Sequence, residues 1–350
     1  MPNYILPSRF LAVFPRSVEP GVDREPASEL MVTIVNKILE FFMVCEFVLV
    51  PLLVFLILRY SKSLSRYKYY LLNNVVWSFA FGVFVFVIKP VFHYPAPCVH
   101  SELEYSPKPG VAYDVLAFLF MYCLANAVLS MVWTLIFRFA CVYHSRPSEF
   151  ILHSKYTWLL YLLGHILFGC IMFQMVVVGR IRDPQEAASE LVRRVPQFAN
   201  RTKNLFFVCF YYSDEMIILS YLNIAALIFG FLIAASLLAL LYHHLHRNVY
   251  AFPKKTIKMQ FMLFKALSIQ MANYFLLEIL PLVCATFAFA ISYRYGEPLL
   301  LVVLTVMVLH GILDYLLMIY FIAPYRRALI RWLKLVPASD FVQHLTRVGS

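Results

Sequence analysis

Apolar residues fall into seven long runs separated by shorter polar or basic stretches, at positions 34–58, 70–91, 113–138, 157–178, 216–242, 261–293 and 298–322. The run 113–138 shows the pattern most plainly. Asp114 stands at its head, Arg138 at its foot, and nothing ionisable lies between them. Coiled as an α-helix at about 1.5 Å per residue, it reaches about 39 Å, enough to cross a hydrocarbon core of roughly 30 Å. Pro281 interrupts the sixth run and predicts a kink there. Residues 34–322 are therefore expected to form an all-α seven-transmembrane helix bundle. Residues 1–33, broken by prolines, read as an irregular extracellular tail, and 323–350 as a cytosolic tail. The first 30 residues lack a basic head followed by a long apolar stretch, so they do not read as a cleaved secretory signal.

Composition sharpens this picture. Charged residues are 14% and hydrophobic ones 62%, against about 25% charged in a soluble domain, so the chain belongs in a lipid bilayer. Its net charge of +11 is clustered in loops and tails. There it speaks of orientation and anionic lipid heads rather than nucleic acid. Arg59, Lys62, Arg66 and Lys68 follow the first run without an acid among them, which places that loop inside and the N-terminus outside. The sole N-x-S/T sequon, Asn200-Arg201-Thr202, then falls in an outer loop, as a glycosylation site must. On the inner side lie HHLHR, at the foot of the fifth run, and a short basic loop with Pro253, Lys254, Lys255 and Lys258. In the tail, Ala328, Leu329, Trp332, Leu333 and Val336 recur at helical spacing. Arg326, Arg327, Arg331 and Lys334 lie between them. A short amphipathic helix in the inner interface is predicted, the alternative being a disordered basic tail.

The seven cysteines sort by depth. Cys45, Cys123, Cys170 and Cys284 lie within runs and Cys141 on the reducing side, which leaves Cys98 and Cys209 in neighbouring outer loops. A disulfide joining them would hold the long loop over the mouth of the bundle, and two unpaired thiols are the alternative. Ionisable groups inside the runs are Glu40, Glu46, His165, Lys265, Glu278, His310 and Asp314, each costly in lipid and so expected to face the interior. Lys265 lies close enough to the inner face to snorkel. His310 and Asp314, four apart, share a helix face. They read either as a couple that transmits charge or as hydrogen-bonding groups that fix helix rotation. No HExxH, GxSxG or Gly-rich phosphate loop is present, and HHLHR has no matching Cys or carboxylate set. Neither an enzyme nor a cofactor or metal site is expected.

Several motifs carry a resemblance. The approach to the sixth run has Lys255-Thr256, Gln260, Ala266-Leu267 and Gln270, with Pro281 downstream. The foot of the seventh has Pro324-Tyr325-Arg326. LLNNVVWSF in the second run, PAPC followed by Gly110, and Arg138 at the foot of the third complete the set. With these the chain resembles the nematode serpentine chemoreceptors of the Str superfamily, nearest to the Srh and Sri groups, over roughly 34–332. It departs from their pattern at Asn273-Tyr274, at Phe81-Gly82, and at Phe137 and Phe139 flanking the arginine.

What the resemblance implies is a G-protein-coupled receptor for an environmental odorant or pheromone-like small molecule, in the plasma membrane of a sensory cilium. Its partners would be that ligand, a heterotrimeric G protein and the bilayer. Candidate ligand-facing residues in the outer halves are Asp114, Phe118, Met121, Tyr122, Phe173, Gln174, Tyr211, Tyr212 and Glu278, with plain aromatic packing as the alternative. Candidate coupling residues at the foot are Arg138, Tyr143, Lys254, Lys255, Lys258 and Arg326. Two other readings stand beside this one: a seven-span ligand-gated cation channel subunit, with the N-terminus inside, and a receptor-like membrane protein that does not signal.

Overall fold

The computed structural model describes residues 27–61, 66–93, 98–101, 111–143, 146–181, 207–210, 214–247, 254–291 and 293–333, with isolated positions between 183 and 192. Among the described residues, seven helices are long and apolar enough to cross a membrane. They belong to a bundle of α1 (Glu29–Tyr60), α2 (Tyr67–Ile88), α3 (Val111–Val142), α5 (Thr157–Gly179), α6 (Asp214–Arg247), α7 (Lys254–Tyr274) continued by α8 (Leu280–Ala290), and α9 (Gly296–Phe321). Two short helices, α4 (Arg146–His153) and α10 (Ala323–Trp332), follow α3 and α9.

Helix ends depart from the hydropathy pattern where local chemistry overrides it. α1 starts before its apolar run because the Ser28 hydroxyl accepts the Met31 N–H at 3.2 Å, and Glu29 meets the positive helix end. α2 stops at Ile88 instead of running through Val91. Lys89 turns left-handed at φ 45°, its N–H closes onto the Val85 carbonyl at 2.9 Å, and Pro90 cannot prolong the ladder. Val91 lies instead in strand β1 (Pro90–His93). α7 begins at Lys254, so the expected basic loop is partly helix. Lysine, methionine and glutamine favour a helix strongly enough for Lys254 to Gln260 to coil before the apolar run begins. α6 likewise continues through HHLHR to Arg247, where its bases meet the negative helix end. Within the sixth span the proline interruption takes the form of a π turn, Phe275–Ile279. Pro281 has no N–H to give the Leu277 carbonyl and crowds it, and one widened turn absorbs the mismatch.

An antiparallel sheet caps one end of the bundle. Its strands are ordered β1, β2 (Cys98–Ser101) and β3 (Phe207–Cys209). Cys98 and Cys209 are direct partners across β2 and β3 and are joined by a disulfide. Hydropathy alone does not reveal this sheet, since its strands are three or four residues long.

α9 is the central helix, packed against α1, α2, α7, α8 and α10. Two large apolar clusters lie along it. One, towards α10, contains Leu53, Leu71, Phe137, Tyr315 and Tyr325. The other, towards the sheet, contains Leu39, Phe81, Val85, Leu304 and Met307. The outward faces are apolar too: Phe41, Leu167 and Phe229 are each more than 60% exposed, which only a lipid environment satisfies.

α10 is tied back to the bundle. Tyr325 and Ala328 are buried, and Trp332 stacks near Phe55 and Tyr60 of α1, at 5.2 and 6.0 Å between ring centroids. Val336 and Lys334, expected to extend this helix, lie outside the described residues. Amide exchange of the protein in lipid bilayers should show protection from Tyr325 to Leu333, and free exchange throughout would contradict a docked α10.

Candidate functional site

Three features line up along the bundle: a cavity under the sheet, a buried polar hub at mid-depth, and an arginine latch at the opposite end. The cavity encloses about 150 Å³. Its roof is Val99, His100 and Ser101 of β2 with Val208 of β3. Its walls are Ile88 at the end of α2, Phe92 of β1, and Leu116, Ala117, Phe120 and Met121 of α3. Both polar side chains in this wall are engaged. The Ser101 hydroxyl donates to the Ile88 carbonyl at 2.5 Å, and His100 Nδ1 lies 2.6 Å from His93 Nε2, the two rings stacked.

The hub is organised by Asp314 on α9, which is completely buried. One carboxylate oxygen accepts from Asn74 Nδ2 of α2 at 2.9 Å and the other from Gln270 Nε2 of α7, also at 2.9 Å. Asn74 passes the connection on, its Oδ1 lying 2.9 Å from the Ser130 hydroxyl of α3, which it shares with the Ala127 carbonyl at 2.7 Å. One acid thus ties four helices together. A turn towards the sheet, His310 Nδ1 meets Glu278 Oε2 of the π turn at 3.0 Å, while Asn273 Nδ2 donates to the His310 carbonyl at 3.3 Å. Glu46 of α1 is buried between two helices that each present a glycine: a Cβ on Gly311 would lie 3.2 Å from its Oε1, and one on Gly82 would overlap the carboxyl. These two glycines make room for the acid. To one side, Asn126 of α3 bonds His165 of α5, on which Trp77 stacks.

At the foot, Arg138 is only 4% exposed. Its guanidinium donates to Gln260 Oε1 of α7 at 3.2 Å and lies over the Tyr67 ring of α2 at 4.9 Å. Phe137 stacks on Tyr70 beside it, at 4.6 Å. Arg138 thus joins α3 to α2 and α7. Nearby, Tyr325 is fully buried, and its hydroxyl bonds the Ser61 hydroxyl just after α1. Burial pushes this phenol above its ordinary range, so it stays protonated and clamps α10 to the end of α1.

The residues singled out from sequence fall in different places. Met121 lines the cavity. Phe118, Tyr122 and Phe173 instead form a seam between α3 and α5, with centroids 5.4 and 5.8 Å apart and Trp77 against Tyr122 at 5.4 Å. Gln174 is exposed, and Glu278 is paired in the hub. His310 and Asp314 share a face but bond different partners. Glu40 pairs with Lys37 and Lys89, and Lys265 lies over the Phe321 ring at 5.6 Å. At the foot, Tyr143 stacks between Phe139 and His244. Lys258 is exposed, and Arg326 donates to the Tyr320 carbonyl at 3.1 Å. The backbones of Asp114, Lys254 and Lys255 are helical, but their side chains, like Tyr211, Tyr212 and Asn200, lie outside the described residues. Sequence reasoning missed Tyr67 and the sheet residues as participants. It quoted Gln260 and Tyr325 as motif members but gave them no role.

Among the described residues, no three His, Cys, Asp or Glu side chains are arranged to hold a metal ion. The family model described as serpentine type 7TM GPCR chemoreceptor Srh matches residues 32–335. No curated protein matches the chain.

Asp314→Asn tests the hub. It places an amide where two amide donors converge, leaving a buried donor unpaired at a cost of about 1–3 kcal/mol. The thermal midpoint of the purified protein should fall accordingly, and an unchanged midpoint would contradict the hub as a structural tie.

Proposed function

For a chain that belongs to the Srh family of serpentine 7TM GPCR chemoreceptors, and so is a multi-pass membrane protein of a receptor rather than an enzyme family, we propose the following activity. It binds an environmental small molecule in the outer half of the bundle and signals through a heterotrimeric G protein at the inner foot, in the plasma membrane of a sensory cilium. The observation that carries this reading is the latch of Arg138 on Gln260 and Tyr67. A buried guanidinium has five fixed donors and a strong preference for planar, bidentate acceptors. In the closed foot one of them is spent on a neutral amide. Separating α7 from α3 frees the fork for the backbone carbonyls or carboxylate of an inserting partner segment.

Orientation follows from covalent chemistry. A disulfide persists in oxidising surroundings, so the link between Cys98 and Cys209 favours the sheet outside and α10 in the cytosol. The channel reading, with the chain reversed, would hold that disulfide in the reducing cytosol. A glycan at Asn200 would support the same orientation, and its absence from a mature surface-expressed chain would count against it.

Two substitutions separate a switch from an anchor. A hydrogen bond to a charged group is worth about 1.5–3 kcal/mol, and 1.4 kcal/mol is about tenfold in a population. Gln260→Ala should therefore raise basal G-protein signalling by at least about tenfold by loosening the closed foot. Arg138→Lys keeps the charge but loses the fork. Surface expression and ligand binding should persist while the agonist response falls sharply. Normal basal and agonist-driven signalling from both variants would retire the switch and leave Arg138 a topological anchor.

A further inference from the structure

We infer that the cavity beneath the sheet receives a free, uncharged, largely apolar molecule of about the size of a substituted benzene ring. The inference deepens the chemoreceptor reading by giving its ligand a chemical class. Its own test is a binding measurement that needs no signalling.

Size comes first. At about 150 Å³ the cavity, though partly open, compares in volume with apolar protein cavities that take up benzene or xenon. A folded peptide or a sugar chain does not fit.

Charge comes next. Among the described residues the lining has no Asp, Glu, Lys or Arg, and phenylalanines at 92, 120 and 210 face the space with Met121 and Val99. Lys89, beside Ile88, is turned onto Glu40 at 3.1 Å, and Arg180, whose backbone bridges to Phe210, is not among the lining residues. The two polar side chains have prior commitments, Ser101 to the Ile88 carbonyl and His100 to His93. A charged ligand would lose its water and find no counter-ion, whereas a neutral one can still share a single hydrogen bond with Ser101 or His100.

Position makes this cavity a receiver. Its roof belongs to strands that the Cys98–Cys209 disulfide joins, and its wall belongs to α3, the helix that carries Ser130 of the hub and Arg138 of the latch. An occupant therefore bears on α3 and on the end of α2 together. The aromatic seam of Phe118, Tyr122 and Phe173 lies on another side of α3, packed on α5, and is not the recognition surface.

The test uses the full chain in lipid nanodiscs and a matched set of probes: toluene, benzyl alcohol, benzylamine and benzoate at neutral pH. Toluene and benzyl alcohol should raise the thermal midpoint saturably, and the two ions should bind at least about tenfold more weakly. Ala117→Trp fills the space and should abolish the shift. Should that variant fail to fold, Met121→Ala enlarges the space and should move the preference to longer probes such as 4-phenylbutanol.

Equal or tighter binding of benzylamine would overturn the inference. Equal shifts in the wild type and Ala117→Trp would overturn it as simple partition into lipid. Failure of every probe, with a tightly held acyl chain recovered from the purified protein, would overturn it in favour of a structural lipid. Saturable binding of benzyl alcohol without any G-protein response in cells would leave the ligand class standing and sink the signalling reading. A G-protein response to charged odorants alone would do the reverse.

Discussion

A carboxylate buried in a low-dielectric interior must be satisfied from within, and Asp314 is satisfied by two amides from two different helices. That requirement ties α9 to α2 and α7 and, through Asn74, to α3. In lipid, apolar contact between helices gives little reason for one rotation over another, because acyl chains are as apolar as leucine. Hydrogen bonds between helices supply the missing specificity. The chain through Asn74 and Ser130 sets the rotations of α2 and α3, and Gln270 sets that of α7. With those rotations fixed, Arg138 comes round to Gln260 at one end of the molecule and Met121 to the cavity at the other.

The hub stands between the two working ends. Along α3, Ser130 lies about 12 Å from Arg138 and about 14 Å from Met121, at about 1.5 Å per residue. Along α7, Gln270 lies about 15 Å from Gln260. A molecule wedged under the sheet presses on α3 and the end of α2, both of which are tied to Asp314. On the proposed signalling mechanism, transmission would require a small shift of these helices into a second arrangement of their polar contacts. A ligand moves that balance only by the difference in its affinity for the two arrangements. The π turn that carries Glu278 belongs to the span whose foot carries Gln260.

Much of the architecture is legible in the chain itself. Seven apolar runs give seven membrane helices, and the rarity of charge inside them points to interior groups such as Glu46, Glu278 and Asp314. Helix rotation is the part that hydropathy cannot resolve. Where a helix is apolar all round, periodicity does not tell the lipid face from the core face. Hydropathy thus does not announce that Phe118 and Tyr122 pack towards α5. Partner choice is equally hidden. His310 and Asp314 share a face by spacing, yet each bonds a residue from another helix, and no local pattern announces Gln270 or Asn74 as the partner. Short strands and caps escape for a different reason. Ser28, Lys89 and the three-residue strand β3 are set by single hydrogen bonds, by proline geometry or by pairing distant in sequence.

Signalling through the Arg138 latch requires the foot to open between α3 and α7. Spin labels at Glu149 on α4, which follows α3, and at Lys258 on α7 would report that separation by pulsed electron resonance, in a background lacking the other reactive cysteines. The distance between them should be short and narrowly distributed in the resting chain, and longer in the complex with agonist and G protein. A distance that stays the same while the labelled chain still activates its G protein would contradict the latch and the coupling built on it.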